Sequence, residues 1–195
     1  MSRKLSFLAA ASALLVATPL YAGTVTGIDA LREWNLVVLG DLQSSSEVEG
    51  RTFVGGDLTG NSSNYQIAAP TASAFDKPGL TVVGDVKGGT KNLNNGSGAV
   101  VGGNVDSGFN LNGAAQTVLV GGTISNTNVN QNTVKSGLGA SDAGFLSDLT
   151  MQKSVLTSSL TDLSGTLAKL DSNSQVAING NRATFNAAPD GKGVA

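Results

Sequence analysis

The chain has 195 residues, a formal net charge of −2 at pH 7 and 26 glycines, but no cysteine and no histidine. The missing residue types exclude disulfide bonds, Ser-His-Asp catalysis and His-ligated zinc. Lys and Arg are scattered without a basic patch, so nucleic acid is not an expected partner. Charged residues make up only 13% of the chain, and most polarity comes from Asn, Ser, Thr and Gly.

Residues 1–22 have the layout of a secretory signal peptide. A basic start precedes an apolar run over 5–16, which is too short to span a bilayer, and Ala22 stands before a cleavage position at Gly23. Cleavage there leaves 10 basic against 14 acidic residues. Together with the lack of cysteine and the many Gly and Asn residues, this layout predicts a bacterial protein that is secreted or displayed at the cell surface, with no transmembrane segment after processing. A retained membrane anchor is the disfavoured alternative.

After a short lead-in over 23–35, one phrase of apolar residues, glycine and a small polar residue occurs five times. It reads VVLGDL at 37–42, FVGGDL at 53–58, VVGDV at 82–86, VVGGNV at 100–105 and LVGGTI at 119–124. Repeats of about 20 residues, each a strand plus a turn, are typical of a solenoid in which each unit buries its apolar face against the next. We predict a mostly β fold, with a parallel β-solenoid (β-helix) whose rungs over 36–124 point their apolar residues inward.

Two kinds of connecting segment interrupt the repeats. Residues 60–79 contain Pro70 and Pro78 and are predicted to be a loop extruded from one rung. Residues 88–98 and 126–132 are rich in asparagine. Two interpretations of them stay open: the asparagines stack and hydrogen-bond along the solenoid axis, or the segments are ordinary exposed loops.

The pattern becomes helical over about 142–172. Leucines recur there at spacings of three, four or seven, at Leu146, Leu149, Leu156, Leu160, Leu163, Leu167 and Leu170. Ser141 or Asp142 can cap the start, and Lys153 and Lys169 are expected to contribute little. The narrow stripe predicts one long amphipathic helix packed along the side of the solenoid, with a coiled coil to another chain as the alternative.

The last part of the sequence holds two further strand-like segments. Residues 175–180 and 183–188 are predicted to return to the stack. Because a bare solenoid end would expose strand edges, we expect the single domain over 23–195 to be C-terminally incomplete.

The polar residue of the repeat is the first candidate for a site. It is Asp41, Asp57 and Asp85 in the first three units, then Asn104 and Thr123. Stacked carboxylates about 5 Å apart would repel, and a bound Ca²⁺ would relieve the repulsion. Alternatively, each side chain caps its turn by accepting from a nearby backbone N–H. Because the series ends in uncharged residues, capping is favoured, and no metal or cofactor is assigned.

Three other groups are candidates for contacts. Glu47 and Glu49 beside Arg51 could suggest glycoside hydrolysis, but a solvated charged face is favoured because their spacing fixes no geometry. Trp34 is expected to lie in the core or to cap the first rung. Tyr65, in the predicted loop, is the preferred exposed contact.

The stretch 34–60 resembles the opening of the bacterial choice-of-anchor A domains. The matching blocks are NLVVLGD at 35–41, SSEVEGR at 45–51 and VGGD at 54–57. The resemblance implies an exported, surface-displayed β-solenoid of adhesin type, some members being described as collagen-binding. It carries over no catalytic residues.

These observations predict a non-enzymatic, adhesin-like domain. Its expected partner is an extracellular-matrix or surface polymer, collagen-like or a polysaccharide, and no ligand-binding residue is assigned. An ice-binding solenoid is one alternative, disfavoured because Thr117, Thr123, Thr127 and Thr133 are not expected to align. A polysaccharide-active β-helix enzyme is the other, disfavoured by the lack of histidine and of paired carboxylates.

Overall fold

Parallel strands stack into a β-solenoid of about six turns in the computed structural model, which describes residues 25–170, 174–180 and 182–187. The predicted fold class is therefore confirmed. The predicted signal peptide lies outside the described residues, as do residues 188–195.

The first face of the solenoid is a six-stranded sheet in which all neighbouring strands are parallel. Its strands, in sheet order, are β1 (Leu36–Val38), β4 (Thr52–Val54), β7 (Leu80–Val82), β9 (Ala99–Val101), β11 (Thr117–Val120) and β12 (Thr133–Lys135). Five of these strands belong to the predicted repeats. The sixth, β12, follows the asparagine-rich segment 126–132 and was not predicted.

Each rung then turns twice more. The second face starts with β2 (Leu42–Gln43) and β5 (Leu58–Thr59) and continues as single parallel bridges through Val86, Val105 and Ile124. The third face is a parallel sheet of β3 (Glu47–Val48), β6 (Ser63–Tyr65), β8 (Lys91–Leu93) and β10 (Phe109–Leu111). Because β6 lies inside the predicted loop 60–79, the real loop spans only 66–79.

The interior is filled by one side chain from each rung at each register position. Val54, Val82, Val101 and Val120 are paired in register and completely buried. Burying a valine removes apolar surface from water and is worth about 1.5–3 kcal/mol. Their burial confirms the prediction for these four valines. Phe53, Val37 and Val83 of the same repeats instead pack with Ala30 and Trp34 in a second cluster.

The repeated polar residue links each rung to the next at the corner between the first and second faces. The side-chain oxygen of Asp41 accepts from the backbone N–H of Asp57 at 2.8 Å, and Asp57 accepts from Asp85 at 2.9 Å. Asp85 in turn accepts from Asn104 at 2.7 Å, and Asn104 accepts from Thr123 at 2.9 Å. We call this series the corner ladder. It confirms the capping interpretation, with the donor in the following rung rather than in the same turn.

The corner ladder explains the glycine that precedes each polar residue. A Cβ at Gly56, Gly84, Gly103 or Gly122 would overlap the ladder oxygen of the preceding rung. None of these glycines has a positive φ, so close approach, and not backbone conformation, requires them. Gly40 belongs to the first rung, and a Cβ there would meet no described atom within 4 Å.

A long helix packs along the first face, as predicted, but with different ends. α3 spans Phe145–Leu167 and follows the short α2 (Leu138–Ser141). Its N-cap is Gly144, and Asp142 accepts from the N–H of Gly144 at 3.0 Å. The helix runs back along the stack, because Leu149 lies beside Gly102 and Lys153 donates from Nζ to the carbonyl oxygen of Gly55 at 2.7 Å. Lys153 therefore makes a contact that the leucine pattern does not indicate.

The helix ends beside α1 (Gly27–Glu33), whose N-terminus carries a capping box from Thr26. Leu156 is buried with Ala30, Trp34 and Phe53 in a cluster between the helices and the first face. Leu167 and Leu170 are more than half exposed. The packed part of the predicted leucine stripe is therefore its middle, from Leu149 to Leu163, and Leu146 at its start is exposed.

The strands β13 (Ser174–Asn179) and β14 (Arg182–Ala187) form a separate antiparallel hairpin. The prediction that they return to the stack was wrong. Gly180, at φ +58, lies in the connection that lets the two strands pair with each other.

Candidate functional site

The third face carries a column of amide side chains. Asn64, Asn92 and Asn110 are register partners on neighbouring strands, and Glu47 precedes them in the first rung. Each strand buries its first and third residues, so the middle asparagine stays half-exposed or exposed. Parallel pairing places successive amides about 4.8 Å apart. We call this surface the asparagine face.

Hydrogen bonds link parts of this column along the axis, but Asn92 donates to Oγ of Ser62 at 3.5 Å and not to Asn64. Asn110 donates from Nδ2 to Oδ1 of Asn92 at 2.8 Å, and Asn64 donates to Oε1 of Glu47 at 3.0 Å. A pair of amides stands beside this column, where Asn112 donates to Oδ1 of Asn94 at 3.2 Å. The stacking interpretation is therefore confirmed for the segment 88–98.

The segment 126–132 uses its asparagines differently. Oδ1 of Asn128 accepts from the N–H of Leu111 at 2.8 Å, and Oδ1 of Asn132 accepts from the N–H of Gln116 at 3.0 Å. These side chains take the place of a strand and satisfy backbone donors of the rung before them. They cap the third face and do not extend the amide column.

A shallow groove of about 380 Å³ lies along the asparagine face and shares Glu47 and Asn64 with the column, while Asn92 and Asn110 are outside its lining. Its lining consists of Glu47, Asn64, Ile67, Asn94, Asn95, Asn112 and Gly113. Each asparagine offers two N–H donors and a carbonyl acceptor, which suits ligands that both donate and accept, such as hydroxyl groups. Glu47 is the single charged residue of that lining.

Aromatic platforms do not contribute to this groove. Tyr65 is completely buried inside the solenoid, where its hydroxyl accepts from Ser63 at 3.3 Å and burial raises its pKa. The expectation that Tyr65 is an exposed contact was therefore wrong, because it belongs to β6 and not to a loop. Trp34 lies in the cluster under the helices and stacks on Phe75 with ring centroids 6.4 Å apart, as the core expectation required.

A lysine lies between two carboxylates of the corner ladder, at the position that a calcium ion would need. Nζ of Lys87 lies 3.0 Å from Oδ2 of Asp57 and 2.8 Å from Oδ2 of Asp85, where a bridging cation would lie. The hydrogen bond from Lys87 and that from the N–H of Asn104 lower the pKa of Asp85, and the carboxylates raise that of Lys87. Within the described part of the chain, no three acidic side chains are grouped as a metal site.

Arg51 does not belong to a solvated face. It is buried, with Nε 3.4 Å from Oε1 of the buried Glu33, and it also donates to the carbonyl oxygens of Lys77 and Thr71. The pair fastens the loop 66–79 against α1. Glu47 and Glu49 are exposed, as expected.

A second cation, Lys91, is completely buried inside the solenoid. Its Nζ donates to the carbonyl oxygens of Gly60 at 3.1 Å and Asn61 at 2.7 Å. Burial lowers its pKa. The sequence does not indicate that Lys91 is buried, because the residues next to it in the chain are polar.

The threonine prediction was also partly wrong. Thr117 and Thr133 are register partners on β11 and β12. The two threonines are not part of a longer row, because the residue opposite Thr117 on the other neighbouring strand is Gly98.

Residues 27–195 match the family model described as "Putative Ice-binding-like adhesive domain", and the chain belongs to that family. No curated protein and no solved structure gives a significant match. Among the described residues, no helix combines the length and the apolar character needed to cross a membrane.

Proposed function

We propose that the chain is a non-enzymatic adhesive module, exported from a bacterial cell, that binds a neutral, hydroxyl-rich polymer along its asparagine face. The in-register column of Asn64, Asn92 and Asn110 is the observation that carries the proposal. Membership of an adhesive-domain family supports it. The likeness of residues 34–60 to choice-of-anchor A domains supports display at the cell surface.

A polysaccharide suits this face better than a charged or aromatic-rich ligand. The amides repeat along the axis at the strand spacing, so a repeating polymer can engage several rungs together. Each hydrogen bond contributes only about 0.5–1.5 kcal/mol, and affinity must come from many of them. An anionic polymer would meet Glu47 at one end of the groove. Collagen-like polymers are the competing partner.

Two variants in the fourth rung test the site. Asn110→Asp removes the donor to Asn92 and places a charge on the asparagine face. Asn104→Asp makes the same chemical change in the corner ladder, where Asp85 already serves the same role one rung earlier. Sedimentation with insoluble neutral polysaccharides, and with collagen fibrils, measures binding.

We expect Asn110→Asp to weaken polysaccharide binding by about 5- to 30-fold, which corresponds to 1–2 kcal/mol. Asn104→Asp should bind like the parent. Equal binding by all three proteins would contradict the assignment of the face. Binding to collagen alone would contradict the ligand class and leave the adhesive role in place.

Ice binding and catalysis are tested on the same proteins. The family description names an ice-binding-like domain, which makes ice the second candidate. Thermal hysteresis that is lost in Asn110→Asp, together with no polymer binding, would replace the proposal by ice binding. New reducing ends after incubation with a polysaccharide would indicate an enzyme. Export is tested by mass spectrometry, which should find Gly23 at the N-terminus of the product.

A further inference from the structure

We propose that Asn112–Gly113, on the asparagine face, is a site of spontaneous deamidation, and that the fold protects Asn95–Gly96 one rung away. Both asparagines line the same groove, and both are followed by glycine. Glycine has no Cβ to hinder attack by its own amide nitrogen. The two sites differ in how the fold holds the reacting atoms.

The reaction balances without any cofactor. The amide nitrogen of Gly113 loses its proton and attacks Cγ of Asn112. A carbon–nitrogen bond forms, the bond from Cγ to Nδ2 breaks, and the departing NH2 group takes up a proton and leaves as ammonia. The resulting succinimide ring adds one water molecule at either carbonyl group, giving an aspartate or an isoaspartate at position 112.

The nucleophile at the first site is available. The N–H of Gly113 has no hydrogen-bond acceptor among the described residues. Residues 112–115 are all exposed, and the turn lies just after β10. The leaving amide of Asn112 is held by one hydrogen bond, to Oδ1 of Asn94 at 3.2 Å.

The nucleophile at the second site is engaged. The N–H of Gly96 donates to the carbonyl oxygen of Asn112 at 3.0 Å. Nδ2 of Asn95 donates to three carbonyl oxygens, those of Gln66 and Ile67 at 2.9 Å and that of Ala68 at 3.2 Å. Reaction at Asn95 therefore requires local opening that breaks all four bonds.

Deamidation at position 112 would change both the hydrogen bonding and the charge of the asparagine face. A carboxylate cannot donate to Asn94, so the bond between the two amides is lost. It also adds a negative charge to a groove whose lining carries only Glu47 as a charge. The chemistry does not depend on which polymer the face binds.

Peptide mapping of the full chain tests the proposal. The native protein and the same protein unfolded in guanidinium are kept at mildly alkaline pH, then digested with trypsin. Cleavage after Lys91 and Lys135 gives one peptide, 92–135, that contains both sites, and fragment masses separate them. Asn112→Gln is the control variant that should remove the signal at position 112 alone.

In the unfolded protein both sites should react at similar rates. In the native protein we expect Asn95 to react roughly tenfold or more slowly than in the unfolded chain, and Asn112 to keep most of its unfolded rate. A native rate at Asn95 that matches its rate in the unfolded chain would overturn the protection of Asn95. A native protein in which Asn112 is as inert as Asn95 would overturn the proposed site.

Discussion

Replacing Gly103 by alanine tests whether close packing against the corner ladder dictates the repeat. A Cβ at this position would overlap Oδ1 of Asp85 and lie 2.9 Å from the carbonyl oxygen of Gly84. The carboxylate must then move away and give up the 2.7 Å bond from the N–H of Asn104. The same substitution at Gly40 meets no described atom within 4 Å.

The cost at Gly103 has two parts. A hydrogen bond to a charged acceptor is worth about 1.5–3 kcal/mol, and partial exposure of Asp85 places it near the lower value. Contact with the Gly84 carbonyl oxygen adds about 1–3 kcal/mol of overpacking. We therefore expect Gly103→Ala to lower the free energy of unfolding by about 2.5–4.5 kcal/mol. Gly40→Ala should raise it by about 0.4–1 kcal/mol, because alanine restricts the unfolded chain.

Urea unfolding of the two variants and the parent measures the difference. Adding Asp85→Ala provides a double-mutant cycle, since it removes the oxygen that the new Cβ would strike. The cost of Gly103→Ala should then fall by about 1–2 kcal/mol. If Gly40→Ala and Gly103→Ala unfold at the same urea concentration, the ladder does not explain the glycine.

Three further predictions concern the helix and the buried or paired charges. Leu156→Ala should lower the free energy of unfolding by about 2–5 kcal/mol, whereas Leu167→Ala, at an exposed position, should change it by less than about 0.5 kcal/mol; thermal unfolding compares them. Because the folded pKa of Lys91 is lowered, the parent should gain stability as the pH rises from that pKa towards about 10.4. The Lys91→Met variant should not show this gain, and urea unfolding across the pH range measures it. The folded pKa of Asp85 is also lowered, so its contribution is present above about pH 4 and is lost below it; Asp85→Asn, which keeps the acceptor, should show a smaller loss in acid-unfolding measurements.

The sequence was sufficient to predict the solenoid because the packing of each rung is periodic. Val101 and its register partners repeat with the rung, and so do the glycines and the ladder side chains. A periodic sequence pattern indicates contacts between neighbouring rungs, and these contacts define this fold. The leucine stripe of α3 was readable for the same reason, through helical periodicity.

The sequence did not reveal contacts that leave no repeated sequence pattern. Tyr65 sits in a polar segment with proline after it, and only the pairing of β6 with β8 shows that it is internal. Arg51 is buried because the loop 66–79 folds back to give it carbonyl acceptors. Lys153 reaches Gly55 across 98 residues of sequence. Such long-range contacts leave no local pattern.

The candidate site was predictable in composition but not in arrangement. The asparagine-rich segment 88–98 was recognised, yet stacking and exposed loops were equally good interpretations of it. The decision depends on Asn64, whose segment was assigned to the extruded loop. Without that rung, Asn92 and Asn110 are a pair and not a column.

The three faces of the solenoid have separate roles, and this separation supports the assignment of the binding surface. The first face is covered by α3, with Leu156 and Phe53 buried between them. The corner of the second face is occupied by the ladder and by Lys87, whose ammonium pairs with two carboxylates. The third face repeats uncharged hydrogen-bonding groups in register over three rungs, whereas the first face offers only the exposed pair of Thr117 and Thr133. A polymer whose repeating groups match the rung spacing would therefore meet a regular array of hydrogen-bonding groups on the asparagine face. The variants Asn104→Asp and Asn110→Asp distinguish that face from the corner.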